Sequence, residues 1–130
     1  GKANIMKNGK DVCIIACGLM MPIALEAAEK LTVEGIDAAV VNMHTIKPID
    51  KECILKMSRQ CKGIVTAEEH SVIGGLGSAV AEVLAAEGNT RMAMVGIEDK
   101  FGMSGKPADL FREYGLTAEH IVEECKALLN

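Results

Sequence analysis

The apolar residues of this chain alternate between short unbroken runs and longer stretches with helical spacing. Val12-Cys13-Ile14-Ile15-Ala16-Cys17 is apolar without alternation, the pattern of a central strand covered on both faces. Met20–Glu34 then carries Ala24, Ala27, Ala28 and Leu31 on one helical face. Pro22 lies in its first turn, Glu26 stands four residues before Lys30, and Gly35 sits where a left-handed cap belongs. Ile36–Asn42 reads as the next strand. Asp50 reads as the N-cap of a helix that runs to about Gln60, and Gly63 ends it before a strand at Ile64–Ala67. Gly74-Gly75 opens another helix, with Leu76, Ala79, Val80, Val83 and Leu84 on one face and Gly88 at its end. Arg91–Ile97 is the last strand.

Beyond Ile97 the pattern changes to a glycine-punctuated loop, Glu98–Lys106, a short helix from Pro107, and a final helix capped by Thr117. Ile121, Val122, Cys125, Leu128 and Leu129 share one face of that helix. At the other end, Asn8-Gly9 is the favoured dipeptide of a two-residue hairpin turn, and it predicts that a short strand near Ala3–Met6 pairs antiparallel with Val12–Cys17. Strands alternating with helices specify an α/β fold. The expected architecture is a three-layer α/β/α sandwich on a sheet of about five strands, mostly parallel with one antiparallel edge strand. Residues 1–130 form one domain, with no internal repeat or linker.

Composition narrows the function. The chain has 130 residues, enough to bury roughly two-thirds of its unfolded surface without disulfides or metal. Its 14 Lys and Arg against 18 Asp and Glu give a net charge of −4, with no basic cluster for a phosphate backbone. The only aromatic residues are Phe101, Phe111 and Tyr114, so residues 1–100 offer no ring on which a base could stack. Nucleic acid is not an expected partner. No apolar run approaches the roughly 18 residues of a membrane span, and Gly1-Lys2-Ala3-Asn4 does not resemble a signal peptide, so the expected location is the cytoplasm. Five cysteines, Cys13, Cys17, Cys53, Cys61 and Cys125, form no C-x-x-C pair and read as reduced thiols rather than a metal or redox site. The eight methionines read as adaptable core filler.

Ligands of an open parallel sheet bind beyond the carboxyl ends of the strands. That edge collects Gly18, Asn42, His44, Glu68, Glu69, His70 and the pair Glu98-Asp99. Gly74, Gly75 and Gly77 follow a strand and open a helix, the arrangement that exposes backbone N–H groups to an anion. They fit neither the P-loop nor the dinucleotide fingerprint. The reading preferred over an anion site is that these glycines allow a tight turn and close helix packing, with Glu68 and Glu69 solvated or set against the helix end. His44 and His70 have no nucleophile motif beside them and read first as structural or surface groups, and His120 as a surface residue. The candidates for contact with an anion or a partner domain are therefore Gly18, His44, Glu69, His70, Gly74, Gly75 and Gly77. No catalytic or metal-ligating residue is predicted.

Several segments resemble a known family when read together. They are Val41-Asn42-Met43-His44-Thr45-Ile46-Lys47-Pro48-Ile49-Asp50, then Thr66-Ala67-Glu68-Glu69-His70-Ser71-Val72-Ile73-Gly74-Gly75-Leu76-Gly77-Ser78 and on to Leu84, then Asp99-Lys100-Phe101-Gly102-Met103-Ser104-Gly105, and Tyr114-Gly115-Leu116-Thr117. In this order they resemble the C-terminal domain of transketolases, in the split microbial form. Deoxyxylulose-phosphate synthases and the β subunits of 2-oxoacid dehydrogenases carry a similar last domain. Glu68-Glu69-His70 and Ser104-Gly105 favour the transketolase version. The resemblance implies a parent enzyme that uses thiamine diphosphate and magnesium to move a two-carbon ketol unit between sugar phosphates. It also implies that both cofactors sit in other domains, that this domain is structural or regulatory, and that its partners are the other transketolase domains or a second copy in a homodimer. Because the chain starts at Gly1, where such a protein passes from middle to C-terminal domain, a fragment of a longer chain is expected. An anion-binding regulatory module and an oligomerisation surface are the competing expectations.

Overall fold

The structure is a computed structural model, and it describes residues 2–71, 74–87, 90–97 and 111–130. Five strands form one sheet: β1 (Asn4–Lys7), β2 (Val12–Ala16), β3 (Ala38–Asn42), β4 (Gly63–Ser71) and β5 (Arg91–Ile97). Between and after them lie α1 (Met20–Val33), α2 (Lys51–Gln60), α3 (Leu76–Glu87) and α4 (Ala118–Leu129). The strand order is β1-β3-β2-β4-β5. β2 pairs in parallel with β3 (Val12↔Ala38) and with β4 (Val12↔Gly63), and β4 pairs in parallel with β5 (Gly63↔Arg91).

The unbroken apolar run of β2 is central because every one of its residues has a layer to face. Val12, Ile14 and Ala16 pack into a core shared with α1 and α4, while Cys13 and Ile15 turn to the opposite core with α2 and α3. All five are 0% exposed. The three-layer architecture follows from this two-sided burial. Each helix boundary has a local cause. Gly35 takes φ 78 after α1, Asp50 accepts from the Cys53 amide at the start of α2, and Thr117 accepts from the His120 amide at the start of α4.

The expected hairpin does not form. β1 is antiparallel to β3, with Asn4↔Asn42 and Ile5↔Val41 as partners, and β3 separates it from β2. Both edges of β2 are taken by the parallel strands, which leaves the edge beyond β3 for β1. Gly9 does not take a positive φ, so the primed turn that the Asn-Gly pair favours is absent. Its glycine is needed for a different reason: a Cβ there would run into the backbone of Ala38 and Ala39. Asn8 Oδ1 instead accepts from the Gly9 amide (3.0 Å) and from Gln60 Nε2 (2.6 Å).

β4 is longer than its apolar core. The strand expected to end at Ala67 continues through Glu68, Glu69 and His70 to Ser71, which pairs with Ile97 of β5. Near the end of the chain, residues 111–113 are helical. The start of that helix at Pro107, the loop Glu98–Lys106, the Glu98-Asp99 pair and the stop at Gly88 lie outside the described residues.

Candidate functional site

In the order β3-β2-β4-β5, the chain moves to one side of β2 to form β3 and to the other side to form β4. α1 leaves β2 over one face and α3 leaves β4 over the other. The carboxyl ends of β2 and β4 are therefore the topological switch point, where a doubly wound sheet has its ligand crevice. Gly18, Glu68, Glu69 and the glycine turn all come from the two segments that leave this point.

Two consecutive carboxylates fill the crevice. Successive residues of a strand point to opposite faces, so Glu68 faces the α3 layer and Glu69 the α1 layer. Glu68 is 1% exposed. Its Oε1 accepts from the Leu76 amide at 2.8 Å and its Oε2 from the Gly77 amide at 2.7 Å. These are among the first N–H groups of α3, which have no partner inside the helix, and the carboxylate also meets the positive end of the helix dipole. On the other face, Glu69 Oε1 accepts from the Leu19 amide at 3.1 Å, at the N-terminus of α1. Leucine cannot cap a helix with its own side chain, and α1 has no side-chain cap of its own. From the neighbouring strand Glu69 satisfies the amide of the N-cap residue itself, the role a capping-box carboxylate plays.

The glycines fit this arrangement. Gly18 has φ +60, and a Cβ there would collide with Glu69 Oε1. At Gly77 a Cβ would lie 2.8 Å from Met94 Sδ and 3.1 Å from Thr66 Oγ1, so the glycine lets α3 settle onto β4 and β5. Thr66 Oγ1 is buried without a hydrogen-bond partner among the described residues. Gly74 has φ +78 with open space around it, and its amide donates to Ser78 Oγ at 3.0 Å. The turn is left-handed and closed by its own side chain.

The histidines stand on different elements. His44 is exposed after β3. His70 belongs to β4, and its side chain is outside the described residues. His120 is half-buried rather than a bare surface group: its Nδ1 lies 2.7 Å from the Gly115 carbonyl and its Nε2 3.2 Å from Glu124. Cys17, at the end of β2, is held above the ordinary thiol range by burial, and the nearby Glu68 and Glu69 charges push it further. Burial pushes Cys61 up to about 11 and Cys125 up to about 12, and raises Cys13 well above the usual value. All five cysteines are free thiols.

A diphosphate and its magnesium do not fit these residues. The Leu76 and Gly77 amides that would receive an anion are already bonded to a carboxylate, whose charge would repel a second anion. Among the described residues no group of three His, Cys, Asp or Glu side chains can hold a metal. Among them, too, no helix is long and apolar enough to cross a membrane. The buried Glu68 is absent from the candidates named from the sequence, yet it bonds two amides at the start of α3. Its signal in the sequence was a carboxylate directly after an apolar run and eight residues before a helix start.

Comparison with known proteins agrees with this architecture. Residues 1–121 match the family described as transketolase, C-terminal domain. A protein of Methanocaldococcus jannaschii, provisionally named a transketolase C-terminal section, is 50% identical over 124 residues, 95% of this chain and 38% of its own length. The 1-deoxy-D-xylulose-5-phosphate synthase of Heliobacterium modesticaldum is 43% identical over 131 residues, 100% of this chain but 20% of that protein. Among solved structures, one described as a split-gene transketolase, inactive beta4 tetramer, superposes with a TM-score of 0.94 at 50% identity, covering 98% of this chain and 42% of that one. The chain thus spans about two-fifths or less of these proteins.

Proposed function

The chain belongs to the family of transketolase C-terminal domains, and from that premise we propose that it is the last domain of a split transketolase. In this reading the parent enzyme moves a two-carbon ketol unit between sugar phosphates with thiamine diphosphate and magnesium. The 130 residues themselves contribute assembly rather than chemistry. The observation that carries the proposal is the 50% identity across 98% of the chain to a split-gene transketolase. The closed switch point supports the second half of it, since the crevice that would hold a ligand holds Glu68 and Glu69.

The partners in this reading are the thiamine-binding domains of the same enzyme, together with further copies of this subunit, as the neighbour described as a beta4 tetramer suggests. The test is ketol transfer between a ketose phosphate and an aldose phosphate, with thiamine diphosphate and magnesium added. The isolated chain is expected to give no turnover, and turnover is expected once it is joined to the missing domains. Turnover by the chain alone would reject the proposal.

A second reading has its own support, because a 1-deoxy-D-xylulose-5-phosphate synthase matches the chain at 43% identity over its whole length. The reconstituted enzyme separates the two. Release of carbon dioxide from pyruvate with glyceraldehyde 3-phosphate as acceptor would mark the synthase, and its absence alongside ketol transfer would mark the transketolase.

A further inference from the structure

A cleft of about 500 Å³ lies between α3 and residues 46–51. Its two walls carry opposite charge. Lys47, on the loop before α2, and Lys51, the first residue of α2, stand on one side and Glu82 and Glu87 of α3 on the other, all four exposed. None of the four side chains forms an ion pair or hydrogen bond among the described residues. Between the walls lie the small residues Gly75, just before α3, and Ala79 and Ala86 of the helix, and the loop shows Ile46 and Ile49, both half-buried. The loop with its exposed Lys47 and Pro48 is thus a rim, and the small-residue stripe beside it is a shallow seat.

We infer that this cleft is where a second copy of the chain docks, around a two-fold axis, with the 46–51 loop of each copy seated on α3 of the other. A two-fold interface needs a patch that is complementary to itself. A rim and a seat side by side meet that requirement in shape. The two lysines of one copy opposite the two glutamates of the other meet it in charge, twice over. A patch of one sign would repel its own copy, and opposed charges across an interface steer association and fix its register. The inference rests on the self-association proposed above and names the surface that produces it.

Charge exchange tests it. The variant K47E/K51E makes both walls acidic and E82K/E87K makes both walls basic, and all four residues are exposed enough for the fold to persist, which circular dichroism checks. Sedimentation is expected to show that the unaltered chain associates and that each variant alone associates at least tenfold more weakly. An equimolar mixture of the two variants is expected to regain association, because an all-acidic patch then meets an all-basic one. Variants that associate as the unaltered chain does would overturn this surface while leaving self-association standing, and so would a mixture that regains nothing. An unaltered chain that stays monomeric would overturn both, whereas ketol-transfer results bear only on the enzymatic reading.

Discussion

Removing the Glu68 carboxylate should cost more stability than removing any other single charge in the domain. Glu68→Ala strips the acceptor from the Leu76 and Gly77 amides, which lie 2.8 and 2.7 Å from its two oxygens in a site 1% exposed. A buried donor left without a partner costs about 1–3 kcal/mol, so two of them amount to about 2–6 kcal/mol. Two effects reduce this: an ionised group no longer has to be buried, and water can enter the space left behind. A net loss of about 2–4 kcal/mol is expected, a large share of the roughly 5–15 kcal/mol that holds a domain together. Urea unfolding measures it; with a slope of about 2 kcal/mol per molar, the midpoint should fall by about 1–2 M. Glu68→Gln keeps one acceptor and turns a donor toward the other amide, so it should lie between the alanine variant and the parent. Glu69→Ala is the control, because the Leu19 amide it serves is open to water and the loss should be about 0.5–1.5 kcal/mol. If the two alanine variants lost the same stability, or if the Leu76 and Gly77 amides exchanged with solvent no faster in Glu68→Ala, the internal cap would be refuted.

The same geometry makes further predictions. Gly18→Ala should cost about 1–3 kcal/mol, from a residue with a side chain held at φ +60 and from collision with Glu69 Oε1. In a double-mutant cycle with Glu69→Ala the collision part should vanish, so additive losses would contradict the contact. Asp50 accepts from the Ala3 amide at 2.9 Å and the Cys53 amide at 3.1 Å, and these bonds, that to Ala3 first, hold its carboxyl below the usual aspartate range. A lowered folded pKa means that its contribution is complete above the unfolded value near 4 and is lost as pH falls through the lower folded value. Asp50→Ala should therefore cost about 1–2 kcal/mol at pH 7 and progressively less in acid, read from unfolding midpoints at a series of pH values. Of the five thiols, only the half-buried Cys17 and Cys53 should react with a thiol reagent in the native state, slowly since both are raised, while Cys13, Cys61 and Cys125 should react only on unfolding. Mass spectrometry of the labelled peptides decides this.

The elements that can be read from the sequence are those fixed by local chemistry. Asp50 and Thr117 each start a helix and Gly35 follows the end of one, each through a bond to a residue within four positions, and all three boundaries follow from residue type alone. The layers follow too, because an unbroken apolar strand has only one kind of place in a sheet. What could not be read depends on contacts distant in sequence. Asn8-Gly9 carries a strong hairpin signal, yet Gly9 is set by the Ala38–Ala39 backbone about 30 residues away, and β1 pairs with β3 rather than β2. Glu68 and Glu69 read as either solvated or set against the helix end, and residue type alone does not choose between the two or name the amides. Their partners, the amides of Leu76, Gly77 and Leu19, become partners only when α3 and α1 diverge from the switch point. The glycines after β4 resemble an anion cradle for the same reason: a helix start that binds an external anion and one that binds an internal carboxylate share one local pattern.

The most direct test of the central claim is a reconstitution. The thiamine-binding domains of the parent enzyme are assayed for ketol transfer with and without this chain, at saturating thiamine diphosphate and magnesium. No turnover is expected from the chain alone, and full turnover only from the assembly that contains it. Turnover by the isolated 130 residues, or equal turnover by an assembly lacking them, would contradict the assignment of this domain as a non-catalytic part of a transketolase.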